Sequence, residues 1–235
     1  MSAGGSGVSP LALLAVIWSP VRTLRRVAEE GRAFPGFLVV AIVAAVGLVT
    51  SLVFVLSGIT RRQLEQPFEQ QPTPGLPPGF LETFVRTFEV GAPILALITP
   101  FVGWFVVSLL MQVVTRFFNG AGPFSAMLGV VGVAQIPTLV GGAPISVLLT
   151  TIQTALGPQN TAGVLLGYLA SLFGVVFFAW YVVLVVIGAA QARNIGYGES
   201  AGSCAISCVG IGVLLLAAGV ILGIGIAVAV GAASR

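Results

Sequence analysis

Apolar residues run along this chain in five long stretches that are separated by short polar segments. The stretches cover residues 34–57, 90–115, 124–150, 161–190 and 203–231. Each exceeds the ~20 residues that a helix needs to cross a bilayer, and no soluble core uses five such runs. The pattern predicts an all-α membrane protein with five transmembrane helices in one membrane domain, residues 34–235.

The residues before the first stretch have a different pattern. Residues 1–9 are rich in Gly and Ser, which predicts a disordered leader. In residues 10–33 the apolar positions recur at helical spacing, and three arginines lie on the other side. This pattern predicts an amphipathic interfacial helix lying on the membrane, with Pro20 as a break or kink. A solvated basic leader is the alternative interpretation.

The one sizeable polar segment inside the membrane domain is residues 58–79. Five prolines lie from Pro67 to Pro78, which favours an extended, polyproline-like external loop. Residues 80–89 then place apolar side chains on one helical face. This segment either lies on the outer leaflet or runs directly into the second span, and a helical extension without its own function is the simpler interpretation.

Composition limits the chemistry that the chain can perform. Only 7% of its residues are charged, against roughly 25% in soluble domains. All ten basic residues are Arg and all seven acidic residues are Glu, so the chain has no Lys, Asp or His. This removes the usual catalytic bases, Schiff-base lysines and many metal ligands, and Cys204 and Cys208 alone make a poor metal site. We therefore expect a non-enzymatic protein with no catalytic residue, cofactor or metal.

The few charges lie almost wholly before the first span and in the short loops. The arginine cluster ahead of the first span predicts a cytoplasmic N-terminus, and five spans then place the C-terminus outside. The net charge of +3 is thus a topology signal, and no nucleic-acid partner is expected. The inner arginines are Arg22, Arg25, Arg26, Arg32, Arg116 and Arg193, and the outer ones are Arg61, Arg62, Arg86 and Arg235.

No charged residue lies near the centre of a predicted span, which argues against proton-coupled transport. An uncoupled channel or transporter remains an alternative, because carbonyls, Ser and Thr can line a pore. The third span carries Gln135, Pro137 and a second break at residues 141–144, so we expect it to be kinked or split, with Gln135 bonded to a freed carbonyl or a neighbouring helix. Such breaks occur at transport sites, but a packing irregularity is the favoured interpretation.

Small residues recur every four positions on the last two predicted spans. Gly163 and Gly167 lie in the fourth span, and Gly219 and Gly223 lie in the fifth. Small residues at this spacing let helices approach closely. We therefore expect tight bundle packing, with other membrane proteins or a second copy of the chain as partners besides the lipid bilayer.

Four local segments carry a further signal. They are WSPVRTLRRV at 18–27 with Pro20, FNGAGPF at 118–124 with Gly120, Gly122, Pro123 and Phe124, AQIP at 134–137 with Gln135 and Pro137, and GAAQAR at 188–193. Together with the five-span order they resemble the Yip1 domain family, in its short prokaryotic form. The matching features are a proline-led entry, a glycine loop before span three, a proline inside that span, and the end of span four. The resemblance covers most of residues 10–230.

The glycine loop is also what a helix hairpin needs. Gly120 and Gly122 permit a tight reversal with positive φ, and Pro123 suits the start of the next helix. Turn geometry alone therefore explains this segment as well as the resemblance does.

The resemblance implies a multi-pass protein of the prokaryotic plasma membrane that organises the membrane or partner proteins through helix packing. Eukaryotic members of the family bind Rab GTPases in vesicle trafficking. Their acidic motif with Tyr-Gly-Pro ahead of the first span does not occur in this sequence, which puts binding of a Rab-type GTPase in doubt. A third interpretation is an accessory subunit of a larger membrane complex, docked through residues 80–89 and the proline-rich loop.

Overall fold

The chain is helical in every regular element that the structure describes. The computed structural model describes residues 10–70, 79–157 and 160–233. The predicted leader, residues 1–9, and the proline-rich residues 71–78 lie outside the described residues. The elements are α1 (Pro10–Leu13), a 3-10 turn (Leu14–Ile17), α2 (Pro20–Glu30), α3 (Phe34–Leu56), α4 (Ile59–Gln70), α5 (Phe80–Arg116), α6 (Phe124–Val133), a π-helical turn (Thr138–Gly142), α7 (Ala143–Leu156), α8 (Thr161–Arg193) and α9 (Tyr197–Ala233).

Four helical stretches in the described part are long and apolar enough to cross a membrane. They are Phe34–Leu56, Phe80–Arg116, Phe124–Leu156 and Thr161–Arg193. The all-α fold and the first four predicted spans are thus confirmed as helices of the right length and composition. The fifth predicted span falls inside α9, which has 37 residues, and its crossing of the membrane stays a prediction.

The N-terminal amphipathic segment packs its apolar face on protein. Pro20 is the first residue of α2 and follows a break in the helix at Trp18 and Ser19. On α2, Leu24 and Val27 are fully buried, because α2 packs against α6 and α8. The apolar face of α2 is therefore covered by protein, and the interfacial position of residues 10–33 stays a prediction. These partners lie about a hundred residues or more away in sequence, so no local pattern reveals them.

The loop predicted at 58–79 begins with a helix. In α4 the Nε of Arg61 lies 2.8 Å from Oε1 of Glu65 one turn later, and such i,i+4 pairs favour helix. The extended conformation predicted for Pro67–Pro78 is therefore wrong for residues 67–70, which belong to α4, and its remainder lies outside the described residues. Residues 80–89 form the first turns of α5 and run directly into the second span.

The third span is interrupted, as its sequence predicts. α6 ends at Val133, and α7 begins at Ala143 after the π-helical turn. Pro137 immediately precedes that turn. Because proline has no N–H, it cannot continue the α-helical hydrogen-bond ladder, and the wider turn accommodates the interruption.

Buried side chains gather mostly in one half of the bundle, which we call the packed half. It comprises α2, α6, the N-terminal part of α3 and the C-terminal parts of α5 and α8. The largest fully buried side chains there are Leu24, Met111, Met127, Val130, Leu184 and Val185. The open half comprises α4, α7 and the remaining parts of α3, α5 and α8, and α7 contains no buried residue.

Candidate functional site

A cavity of about 780 Å³ lies in the open half. It is bounded by α3, α4, α5, α8 and the interrupted third span, and no charged side chain lines it. Most of its wall is apolar. The polar side chains in the wall are all neutral: Thr50, Ser51, Thr60, Gln63, Gln135, Thr138, Ser146 and Tyr181. Among the described residues, no group of three His, Cys, Asp or Glu is placed to hold a metal ion.

The interruption of the third span forms one wall of this cavity. Gln135 and Thr138 line it, and Thr138 is exposed although it lies in the middle of a span. The Gln135 side chain makes no hydrogen bond to any other described residue, so the hydrogen bond expected from it is absent from this part of the chain. Pro137 is buried.

The ring of Phe177 lies against the glycine pair of the π-helical turn. A Cβ added at Gly141 would stand 2.5 Å from Cζ of Phe177, and one at Gly142 would stand 3.3 Å from its Cγ. Phe177 itself lines the cavity. The glycine pair therefore shapes the cavity wall by admitting an aromatic ring where a side chain would displace it.

Arg193, the last residue of α8, holds the loop between α5 and α6. Its side chain is 2% exposed and donates from Nε to Oγ1 of Thr115 at 3.1 Å. Its two terminal nitrogens donate to the carbonyls of Gly122 and Gly120, and the N–H of Ala121 donates to the Arg193 carbonyl at 2.9 Å. The prediction that Arg193 lies in a short loop is wrong, because Arg193 is the buried last residue of α8. The guanidinium satisfies carbonyls inside the fold with its several donors.

Close approach of the backbone requires glycine in that loop. Gly122 has a φ of +152°, and a Cβ there would stand 2.1 Å from the Ala192 carbonyl oxygen. A Cβ at Gly120 would stand 2.8 Å from the Thr115 carbonyl oxygen. The positive φ expected at Gly120 occurs instead at Asn119, at 57°. The close approach to the Thr115 carbonyl explains why residue 120 is a glycine better than turn geometry does.

Pro123 and Phe124 join this loop to α6. Pro123 is extended and directly precedes the helix, whose first residue is Phe124. The Phe124 ring meets that of Phe105 edge to face, with 5.9 Å between centroids. Oγ of Ser125 donates to the Gly31 carbonyl at 2.6 Å, which ties the end of α2 to α6.

A second close contact, which the sequence did not reveal, lies where α3 crosses α6. A Cβ added at Gly132 would stand 2.4 Å from Cα of Gly36, and one at Gly36 would stand 2.3 Å from the Leu128 carbonyl oxygen. Nε1 of Trp104 donates to that same Leu128 carbonyl at 2.8 Å. The sequence signal for this contact is the short spacing of Gly129 and Gly132. In a chain with 31 glycines such a spacing does not by itself indicate a helix contact.

The glycines predicted for helix packing lie in two different surroundings. A Cβ at Gly163 would stand 2.8 Å from the Gly157 carbonyl oxygen, and one at Gly167 would stand 2.7 Å from Nε2 of Gln153. Both face α7 or the turn after it. Gly219 on α9 has no atom of the described chain within 4 Å of such a Cβ. The surroundings of Gly223 lie outside the described residues.

Comparison with known proteins agrees with the fold. The Yip1 domain matches residues 14–219, which run from the 3-10 turn into α9. No curated protein and no solved structure matches the chain. The domain match and the four long apolar helices make this a multi-pass membrane protein. The match covers most of the chain, and the chain therefore belongs to the Yip1 domain family.

Proposed function

We propose that the chain crosses the membrane five times, with α9 as the fifth span. The 37 residues of α9 exceed the ~20 that a crossing needs, and residues 203–231 are apolar. Its first turns pack on α5 and α8, where Ser200 and Ser203 are fully buried. This anchorage supports a helix that continues through the membrane beside the bundle.

We infer that the protein is non-enzymatic and organises the membrane or other membrane proteins through helix packing. The observation that carries this proposal is the middle of α9, where every residue from Gly212 to Ile221 whose exposure the structure describes is exposed. Open space at Gly219 lets another helix approach closely. Other membrane proteins or a second copy are the expected partners, and nucleic acid is not expected. The missing acidic motif ahead of the first span puts binding of a Rab-type GTPase in doubt. The Yip1 family is a membrane protein family not known for enzymatic activity.

A pull-down in mild detergent with mass determination tests this function. The wild type is compared with Gly219→Leu and with Gly103→Leu, because Gly103 is another exposed glycine of a candidate span with open space around it. The wild type and Gly103→Leu should retain a stoichiometric protein partner or form a homo-oligomer, and Gly219→Leu should lose it. A single-chain mass for all three proteins contradicts the proposal.

We place the protein in the plasma membrane of a prokaryote, with its N-terminus in the cytoplasm and its C-terminus outside. Among the described residues, the end of the bundle at α2 holds six arginines and three glutamates, and the end at α4 holds three arginines and four glutamates. Positive charge favours the cytoplasmic side. In this orientation α2 lies at the inner membrane interface, where Trp18, 73% exposed, meets the headgroup region that tryptophan prefers.

Cysteine labelling tests this orientation. Single cysteines at Glu29 and Glu65, in a background with Cys204→Ala and Cys208→Ala, are treated in intact cells with a membrane-impermeant maleimide. The cysteine at position 65 should react in intact cells, and the one at position 29 should react only after lysis. Reaction at position 29 in intact cells contradicts the orientation.

The cavity beside Gln135 favours a second candidate function, an uncoupled channel or transporter. Its neutral, mainly apolar wall suits an uncharged solute better than an ion. The leading proposal expects no solute flux in liposomes, whereas flux that is lost in a variant with a filled cavity supports the channel. An accessory subunit docked through residues 80–89 is a third candidate, and purification without a stoichiometric partner counts against it.

A further inference from the structure

The cavity of the open half has the length of one bilayer leaflet. Its wall on α3 runs from Val43 to Phe54, which is about 16 Å at ~1.5 Å per residue. The hydrocarbon core of a bilayer is ~30 Å thick. The cavity therefore extends from the middle of the bundle to the end where α3 stops and α4 begins.

The cavity also opens to the lipid-facing surface. α3 packs on α5 and α6, whereas α8 packs on α6 and α7, and the cavity lies in the gap between α3 and α8. On its rim, Val46 is 40% exposed and Phe178 is 60% exposed. A volume of 780 Å³ lies within the ~300–1,000 Å³ of small-molecule sites. An apolar chain can thus enter from the bilayer without crossing a polar surface.

A small charged pocket lies at the α4 end of the cavity. Thr60 and Phe88 line the cavity, and their chain neighbours Arg61 and Glu89 line the pocket, whose volume is about 240 Å³. Glu82 and Arg86 complete its charged wall. Arg61 already pairs with Glu65 on its own helix, so Arg86 is the arginine left to bind the phosphate of a headgroup. The carboxylates of Glu82 and Glu89 can accept hydrogen bonds from the ammonium of the same headgroup.

We propose that this protein binds one zwitterionic membrane phospholipid, with an acyl chain in the cavity and the headgroup in the charged pocket. An anionic lipid should bind more weakly, because the negative charges of the glutamates offset the positive charges of the arginines. This inference goes beyond the proposed function and does not depend on it. A helix of a second copy or of another protein in the cavity is the competing occupant, and the experiment separates it from a lipid.

Native mass spectrometry of the full chain in mild detergent tests the proposal. The added probes are phosphatidylethanolamine, phosphatidylglycerol and inorganic phosphate. Gly174 lines the cavity, and a Cβ there meets no atom within 4 Å. Gly174→Leu therefore fills the cavity without a backbone clash, and Gly103→Leu is its matched control on α5. Ser146→Leu is a second variant with a filled cavity, which protects the test against a folding defect.

The wild type and Gly103→Leu should each retain one phosphatidylethanolamine per chain and bind phosphatidylglycerol less tightly. Gly174→Leu and Ser146→Leu should bind the lipid about tenfold or more weakly. Arg86→Gln should weaken binding, and Arg62→Gln, outside the pocket, should leave it unchanged. Equal lipid retention in all variants overturns the proposal. So does a dimer or protein complex that only the cavity variants lose, and so does inorganic phosphate bound as tightly as the lipid.

Discussion

The N-terminal and C-terminal halves of α8 lie in very different surroundings. Near its C-terminus Leu184, Val185 and Ala189 are almost fully buried, and Arg193 binds the α5–α6 loop. Towards its N-terminus, residues 171–176 are all exposed, and Gly174 faces the cavity. One continuous apolar helix thus serves as core in the packed half and as cavity wall in the open half.

Glycine placement explains much of this difference. In the packed half, Gly36 and Gly132 bring two backbones into contact, and Gly122 does the same for the loop and the end of α8. Close backbone contact fills space and gains dispersion energy from many atom pairs. In the open half, Gly174 meets no atom within 4 Å. The same residue type closes one half and leaves room in the other.

Among the changes measured by denaturant titration, the largest loss is expected from removing the guanidinium of the packed half. Arg193→Met leaves the Gly120 carbonyl without its donor and the Gly122 carbonyl with only a 3.5 Å hydrogen bond from Nε2 of Gln112. We expect the free energy of unfolding to fall by about 2–4 kcal/mol. Denaturant titration of the purified protein in detergent measures this. Arg116→Met is the control, because Arg116 is the exposed last residue of α5. Equal losses in the two variants contradict the assignment.

A smaller loss is expected at the crossing of α3 and α6. A Cβ at Gly36 meets only backbone atoms, which cannot move aside as a side chain can, so Gly36→Ala should cost about 1–3 kcal/mol. Gly103→Ala carries the same gain in helix propensity without any contact, and therefore isolates the clash. The same titration gives both values. A Gly36→Ala protein as stable as the control shows that the backbones do not touch.

The smallest effect is expected at the cavity wall. A Cβ at Gly141 meets the ring of Phe177, and a ring can rotate away at a cost of about 0.5–1.5 kcal/mol. The double variant Gly141→Ala with Phe177→Leu should recover most of that loss, measured by the same titration. If the double variant is less stable than Gly141→Ala alone, the ring does not lie on the glycine pair.

Local patterns predicted the helices well, and they predicted the interruption at Pro137 for the right physical reason. Both signals depend only on residues that are close together in the sequence. An apolar run of more than 20 residues predicts a spanning helix, and a proline, which has no N–H, interrupts the helix that contains it. The composition of residues 58–79 does not predict α4, because it is dominated by the prolines at the end of α4 and after it.

The contacts between distant segments could not be predicted in the same way. Docking of α2 on α6 and α8, burial of Arg193, and the cavity all depend on pairs of residues far apart in sequence. The sequence predicts Arg193 only as a topology signal, because most arginines near span ends are solvated. The sequence singles out the segment Gly120–Phe124, but it does not predict that Arg193 at the end of α8 binds this segment.

The contrast between the two halves is tested most directly by one measurement, the thermal unfolding midpoints of Gly132→Leu and Gly174→Leu in the same detergent. The two substitutions add the same side chain to candidate spans, one at a backbone contact and one beside the cavity. We predict a sharply lowered midpoint or no folded protein for Gly132→Leu, and a midpoint equal to or above that of the wild type for Gly174→Leu. Equal lowering in both variants would contradict the division into a packed and an open half.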